Sequence, residues 1–135
     1  MHIRPYRVLD EAEVIDLWRR CGLVVPHNDP QKDIEKKLKI QPELFLVGTF
    51  EDKVVATVMA GYEGHRGWIN YLAVSPDHQG QGYGRRIMAE AEASLRKLGC
   101  PKINLQIRTS NKSVIAFYKH LGFSQDDVVS MGKRL

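Results

Sequence analysis

The stretch Val74-Ser75-Pro76-Asp77-His78-Gln79-Gly80-Gln81-Gly82-Tyr83-Gly84-Arg85-Arg86 is the part of the chain best equipped for binding chemistry. An apolar run from Trp68 to Val74 leads into it. Behind it, Gly84, Ile87, Met88, Ala91, Leu95 and Leu98 recur on one helical face. Strand, glycine-rich turn and helix start together aim free backbone N–H groups at one point, and the positive end of the helix dipole adds to their pull. Such a turn suits a phosphate or pyrophosphate, because side chains in place of the glycines would hold the anion off the backbone. Two commoner phosphate loops are excluded. A P-loop needs Gly-Lys-Ser/Thr, whereas Arg85 follows Gly84. A dinucleotide fingerprint begins directly after its strand, whereas here Pro76 intervenes. A turn that merely requires its glycines is the alternative reading.

A second set lies further on. Val114, Phe117, Tyr118 and Leu121 follow the i, i+3, i+4, i+7 pattern of a helix. Asn111 and Tyr118 are seven positions apart, nearly two turns, so both polar tips project from almost the same face. A phenol placed there can reach into a cleft, while Phe117 reads as core.

The elements that must hold these residues are legible from punctuation and period. Ile3–Arg7 reads as a first strand. Asp10 predicts a helix cap, with Val14, Leu17, Trp18 and Cys21 on one face and Gly22 as the stop. Asp29-Pro30 opens a second helix running to about Ile40. Residues 44–50 and 54–62 form a hairpin around Glu51-Asp52-Lys53. Gly61–Gly67 is a second turn, rich in glycine and in ionisable side chains. Gly99 and Pro101 end the long helix. Lys102–Arg108 alternates with period two and predicts a strand, Asn111–Leu121 a helix, and Val128–Met131 a last strand. The order β-α-α-β-β-β-α-β-α-β implies an α/β (α+β) fold: a mixed, mostly antiparallel central sheet flanked by helices.

At 135 residues the expectation is one domain spanning 1–135. A formal net charge of +4, from 20 Lys and Arg against 16 Asp and Glu, carries no clustered basic face. Nucleic acid is therefore not expected as a partner. No apolar run approaches ~20 residues, so no membrane span is expected. Cys21 and Cys100 are isolated thiols suited to a reducing cytoplasm, and the scattered histidines suggest no metal.

Gln79-x-x-Gly82-x-Gly84 resembles the Q/R-x-x-G-x-G/A pyrophosphate loop of the GNAT superfamily of N-acetyltransferases. Arg108-x-Ser110-Asn111, then Ala116, Tyr118, Gly122 and Phe123, is similar to that family's second motif, in the right order. The turn Gly61–Gly67 and the ending from Asp127 to Leu135 look like the small bacterial YpeA-type subgroup, which brings no known substrate with it.

The resemblance implies transfer of acetyl from acetyl-CoA to a primary amine of a small molecule or a peptide end. It implies cofactor contacts from Leu72, Ala73 and Val74 on the strand edge, and from Gln79, Gly80, Gln81, Gly82, Tyr83, Gly84 and Arg85 in the loop. Asn111 and Tyr118 would lie along the CoA chain and beside its sulfur. Leu72 N–H would face the oxyanion, and Tyr118 would give the leaving thiolate its proton. The family's usual carboxylate base is missing: Trp68 and Gln106 stand at the two positions where a Glu is found. Glu63, His65 or a water relay are the open substitutes. The acceptor entrance would be formed by Pro26–Asp29, the Glu63–Arg66 turn and Gln106. There Asp29 and Glu63 favour a cationic amine, and His27 and Arg66 tolerate a neighbouring carboxylate. A monomer or homodimer is expected. The rival reading is a CoA-binding module of the same fold without turnover.

Overall fold

The computed structural model describes residues 1–135, which divide into two compact units, Met1–Leu105 and Gln106–Leu135. In the first, β1 (His2–Pro5), β2 (Phe45–Phe50), β3 (Lys53–Tyr62), β4 (Gly67–Val74) and β5 (Ile103–Asn104) form one open sheet in that order. The first four strands run antiparallel to their neighbours, and β4 pairs with β5 in parallel. Glu51 and Asp52 take positive φ values of 51° and 62°, the hand that suits a tight hairpin between twisted strands.

Three helices belong to this unit: α1 (Glu11–Arg20), α2 (Pro30–Lys37) and α3 (Tyr83–Lys97). Strand β3 is buried without a break from Val54 to Ala60, so both of its faces are covered. Val14, Leu17 and Trp18 of α1 and Ile34 of α2 pack with Phe45, Val47, Met59 and Ala73 on one face. Ile87, Met88, Ala91 and Leu95 of α3 are buried outside that cluster.

Asp29 caps α2 as expected, accepting from Gln31 N–H at 3.0 Å and Lys32 N–H at 3.3 Å. Asp10 does not cap α1. It closes a 3-10 turn over Val8–Asp10, accepting from Arg7 N–H at 2.8 Å and from both terminal nitrogens of Arg4. The Arg4 guanidinium, six residues ahead of Asp10, outcompetes the helix backbone for that carboxylate.

Two strand expectations are corrected. The alternation at 102–108 gives only the two-residue β5, because β4 offers it pairing at Gly67 and Trp68 alone. Val128–Met131 forms no strand: Val128, Val129 and Met131 are 77%, 85% and 90% exposed. Period-two alternation registers a pleat, but a strand also needs a hydrogen-bonding neighbour. The second unit holds α4 (Lys112–His120), and residues 121–135 have no regular structure beyond turns and bends.

Candidate functional site

Strand β4 carries an irregularity that the sequence does not announce. Thr57 pairs with Ala73 and Met59 with Asn70, so Tyr71 and Leu72 together oppose the single residue Val58. This is a β-bulge, which bends its strand and re-aims a backbone group. Tyr71 takes φ +51°, a left-handed conformation unusual for a bulky residue. Its carbonyl accepts from Thr57 Oγ1 at 2.8 Å, and its hydroxyl donates to Asp33 Oδ2 at 2.5 Å. Burial, with Asp33 alongside, pushes the Tyr71 phenol well above its ordinary range. Neither Tyr71 nor Thr57 stands out among the motif residues. The available signal is a lone hydroxyl inside the apolar run Val54–Ala60.

Downstream of β4, Ser75 is buried and its Oγ accepts from Asp77 N–H, capping a 3-10 turn over Pro76–His78. The chain then passes through Gly80 at φ +78° and Gly82 at φ +79° into α3. No side chain caps that helix, and its first turn contains no acid. The first N–H groups of a 15-residue helix therefore face outward unblocked. A Cβ built on Gly80 or Gly82 meets nothing within 4 Å, so the space above the loop is open. Unblocked donors, a dipole end and open space fit a pyrophosphate. Arg85 is exposed beside them, while Arg86 donates to the Met1 carbonyl at 2.8 Å. Gln79 Nε2 reaches Val74 O at 3.4 Å and ties the loop to β4. Gln81 is exposed, Gly84 is buried, and Tyr83 turns inward to stack on His78 with centroids 5.9 Å apart. Ala73 is buried, and Leu72 and Val74 are partly exposed.

The ionisable turn lies at the opposite end of β4. Glu63 Oε1 accepts from His65 N–H at 2.8 Å and from Arg66 N–H, so the carboxylate braces its own turn. Those backbone donors, Arg66 first, hold Glu63 below the usual carboxylate range, which weakens it as a base. Leu72 lies five residues beyond Gly67, ~16 Å along a strand rising ~3.3 Å per residue. Direct proton transfer spans ~3 Å, so Glu63 and His65 are not brought to Leu72. Asp29 is occupied at the start of α2.

In the second unit, Gln106 Nε2 donates to Ser130 Oγ. Asn111 sits at the start of α4, exposed, with its Oδ1 accepting from Ser113 Oγ at 3.3 Å. Tyr118 is 6% exposed and makes edge contacts with Phe117 and Phe123 at 5.2 and 5.4 Å. Burial pushes its phenol up to about 12.

Residues 11–123 match the model of a family described as the Acetyltransferase (GNAT) family. The chain is 48% identical over 136 residues to an acetyltransferase of Sodalis glossinidius, covering 100% of this chain and 96% of that one. It is 44% identical over 135 residues to a Yersinia pestis protein named an uncharacterized N-acetyltransferase, with 100% and 96% covered. Among solved structures, it superposes on the ribosomal-protein-S18-alanine N-acetyltransferase of Escherichia coli with a TM-score of 0.76 at 24% identity. That match covers 93% of this chain and 78% of the other.

Proposed function

The chain belongs to the GNAT family of acetyltransferases, and from that premise we propose that it moves the acetyl group of acetyl-CoA onto a primary amine by direct attack. The observation that carries this reading is the uncapped, acid-free start of α3, fed from β4 through Gly80 and Gly82. In this reading residues 1–135 act as one domain, since the family match runs from 11 to 123. Gln79 to Arg85 hold the pyrophosphate, and Leu72, Ala73 and Val74 present the strand edge to the pantetheine amides. Asn111 contacts the same chain.

Leu72 N–H stabilises the oxyanion as negative charge develops on the thioester oxygen. Tyr118 protonates the departing sulfur. A phenol held near 12 is fully protonated at neutral pH, as a donor must be. Glu63 braces its own turn at the far end of β4, so in this reading the amine's proton leaves through water. Glu63 and Asp29, with His65 and Gln106, line the acceptor entrance and favour a cationic amine. The E. coli neighbour is named for a protein alanine, and a peptide end or a small amine both meet this requirement. The free thiols Cys21 and Cys100 are consistent with a reducing cytoplasm, and no helix is long and apolar enough to cross a membrane.

The braced Glu63 and the missing base favour one rival, a CoA-binding module without turnover. Incubation with acetyl-CoA and a panel of amino acids, polyamines and peptides, read by free thiol release, separates the two. Amine-dependent thiol release establishes the enzyme. Tight CoA binding with no release across the panel establishes the module.

A further inference from the structure

The bulge in β4 is held by three residues that belong to no motif, Thr57, Trp18 and Asp33. Thr57 is fully buried in β3, a place where a hydroxyl needs partners on both its donor and its acceptor side. It has them: Trp18 Nε1 donates to Thr57 Oγ1 at 2.9 Å, and Thr57 Oγ1 donates to Tyr71 O at 2.8 Å. The Trp18 ring stacks on the Tyr71 ring with centroids 3.8 Å apart and planes 13° apart. The Tyr71 hydroxyl is fastened to Asp33 of α2. Backbone carbonyl, ring and hydroxyl of one left-handed residue are thus each fixed by a different element.

The carbonyl restraint has a directional consequence. Tyr71 C=O and Leu72 N–H belong to one peptide unit, which is planar and trans, so the two bonds point in opposite directions. Thr57 draws the carbonyl toward β3. The Leu72 N–H is therefore driven away from β3, toward the β5 side of the strand. On that side β5 pairs with β4 only at Gly67 and Trp68.

We propose that Thr57, braced by Trp18, is a positioning residue for acetyl transfer: by holding the Tyr71 carbonyl it aims the Leu72 N–H at the site of the developing oxyanion. This rests on the acetyltransferase reading above, and extends it to side chains that touch neither substrate. A donor aimed before the reaction costs no reorganisation when charge develops. Ordinary L-residues resist the left-handed region, so Tyr71 needs these restraints to stay there.

The test is Thr57→Val, which keeps the shape and removes the hydroxyl. Deleting an oxyanion donor outright costs ~10²–10³ in kcat; misaiming one should cost ~10- to 100-fold, with KM for acetyl-CoA within about twofold. Thr57→Ser should restore most of the rate. Val58→Ala, at a fully buried neighbour on the same strand, should lower the melting temperature comparably and leave kcat near that of the parent. Tyr71 ¹³Cα and ¹³Cβ shifts report its backbone conformation without any turnover. They should lose their left-handed signature in Thr57→Val and keep it in Val58→Ala. A parent-like kcat in Thr57→Val overturns the proposal, and so does an unchanged Tyr71 signature. Should the parent bind acetyl-CoA without turning over any amine, the enzyme reading fails and the positioning claim is judged on the Leu72 amide. Its shift on adding acetyl-CoA must then vanish in Thr57→Val, and an undiminished shift refutes it.

Discussion

Gly82→Ala separates the conformational demand of the phosphate loop from its role in binding. Gly82 sits at φ +79° with open space where a Cβ would go, so the methyl group meets no clash. The cost to folding is backbone conformation alone, about 1–2 kcal/mol for an L-residue in the left-handed region. For a chain of this size that lowers Tm by roughly 3–7 °C. Gly99 has the same description, φ +82° and nothing within 4 Å, but it ends α3 instead of starting it. Gly99→Ala should therefore show the same stability loss. The two should part on CoA binding. Relaxation of residue 82 away from φ +79° turns the first donors of α3 off the pyrophosphate, and charged hydrogen bonds are worth about 1.5–3 kcal/mol each. Losing one of them, about 2 kcal/mol, weakens CoA about 30-fold. Titration calorimetry with CoA should show that drop for Gly82→Ala, a larger one for Gly82→Val, and none for Gly99→Ala. A folded Gly82→Val protein with parental CoA affinity would falsify the assignment of the loop.

Tyr118→Phe keeps the ring against Phe117 and Phe123, so folding and CoA affinity should survive while kcat falls by ~10²–10⁴. With the phenol raised to about 12, the parent's kcat should show no falling limb from this group below about pH 10, and equal rates for the two proteins would remove it as the acid. Asp10 is held below the usual carboxylate range, first by the Arg4 hydrogen bonds. A depressed folded pKa gives stability that is present above the unfolded value of about 3.9 and is lost as pH falls through the folded value. Asp10→Asn should therefore cost about 1–3 kcal/mol at pH 7, with the gap to the parent closing as pH drops below about 4; a gap independent of pH would show that the carboxylate's charge is not what holds the turn.

What could be read in the sequence and what could not differ in physical kind. The glycine turn is legible because its requirement is local: Gly80 and Gly82 stand where L-residues are strained, and Pro76 and Gly84 bound the turn on either side. The hairpin and the helices follow from period and punctuation over short windows, and the cap on α2 from Asp29-Pro30. The failures share the opposite property. Whether 102–108 pairs beyond Asn104, or 128–131 pairs at all, depends on a neighbouring strand far away in sequence. Asp10 looked like a cap until Arg4 claimed it. The bulge is the extreme case, since Tyr71 and Leu72 sit in an apolar run that reads as plain strand. What makes them special is Thr57 fourteen residues back, Asp33 thirty-eight back and Trp18 beyond that. Two L-residues at a bulge carry no glycine to betray them, because the strain is met by side chains of other elements instead of by the residue's own freedom. A hydroxyl in the middle of a fully buried strand is the trace such a device leaves: in an interior that penalises unpaired polar groups, it persists only where something needs to be held.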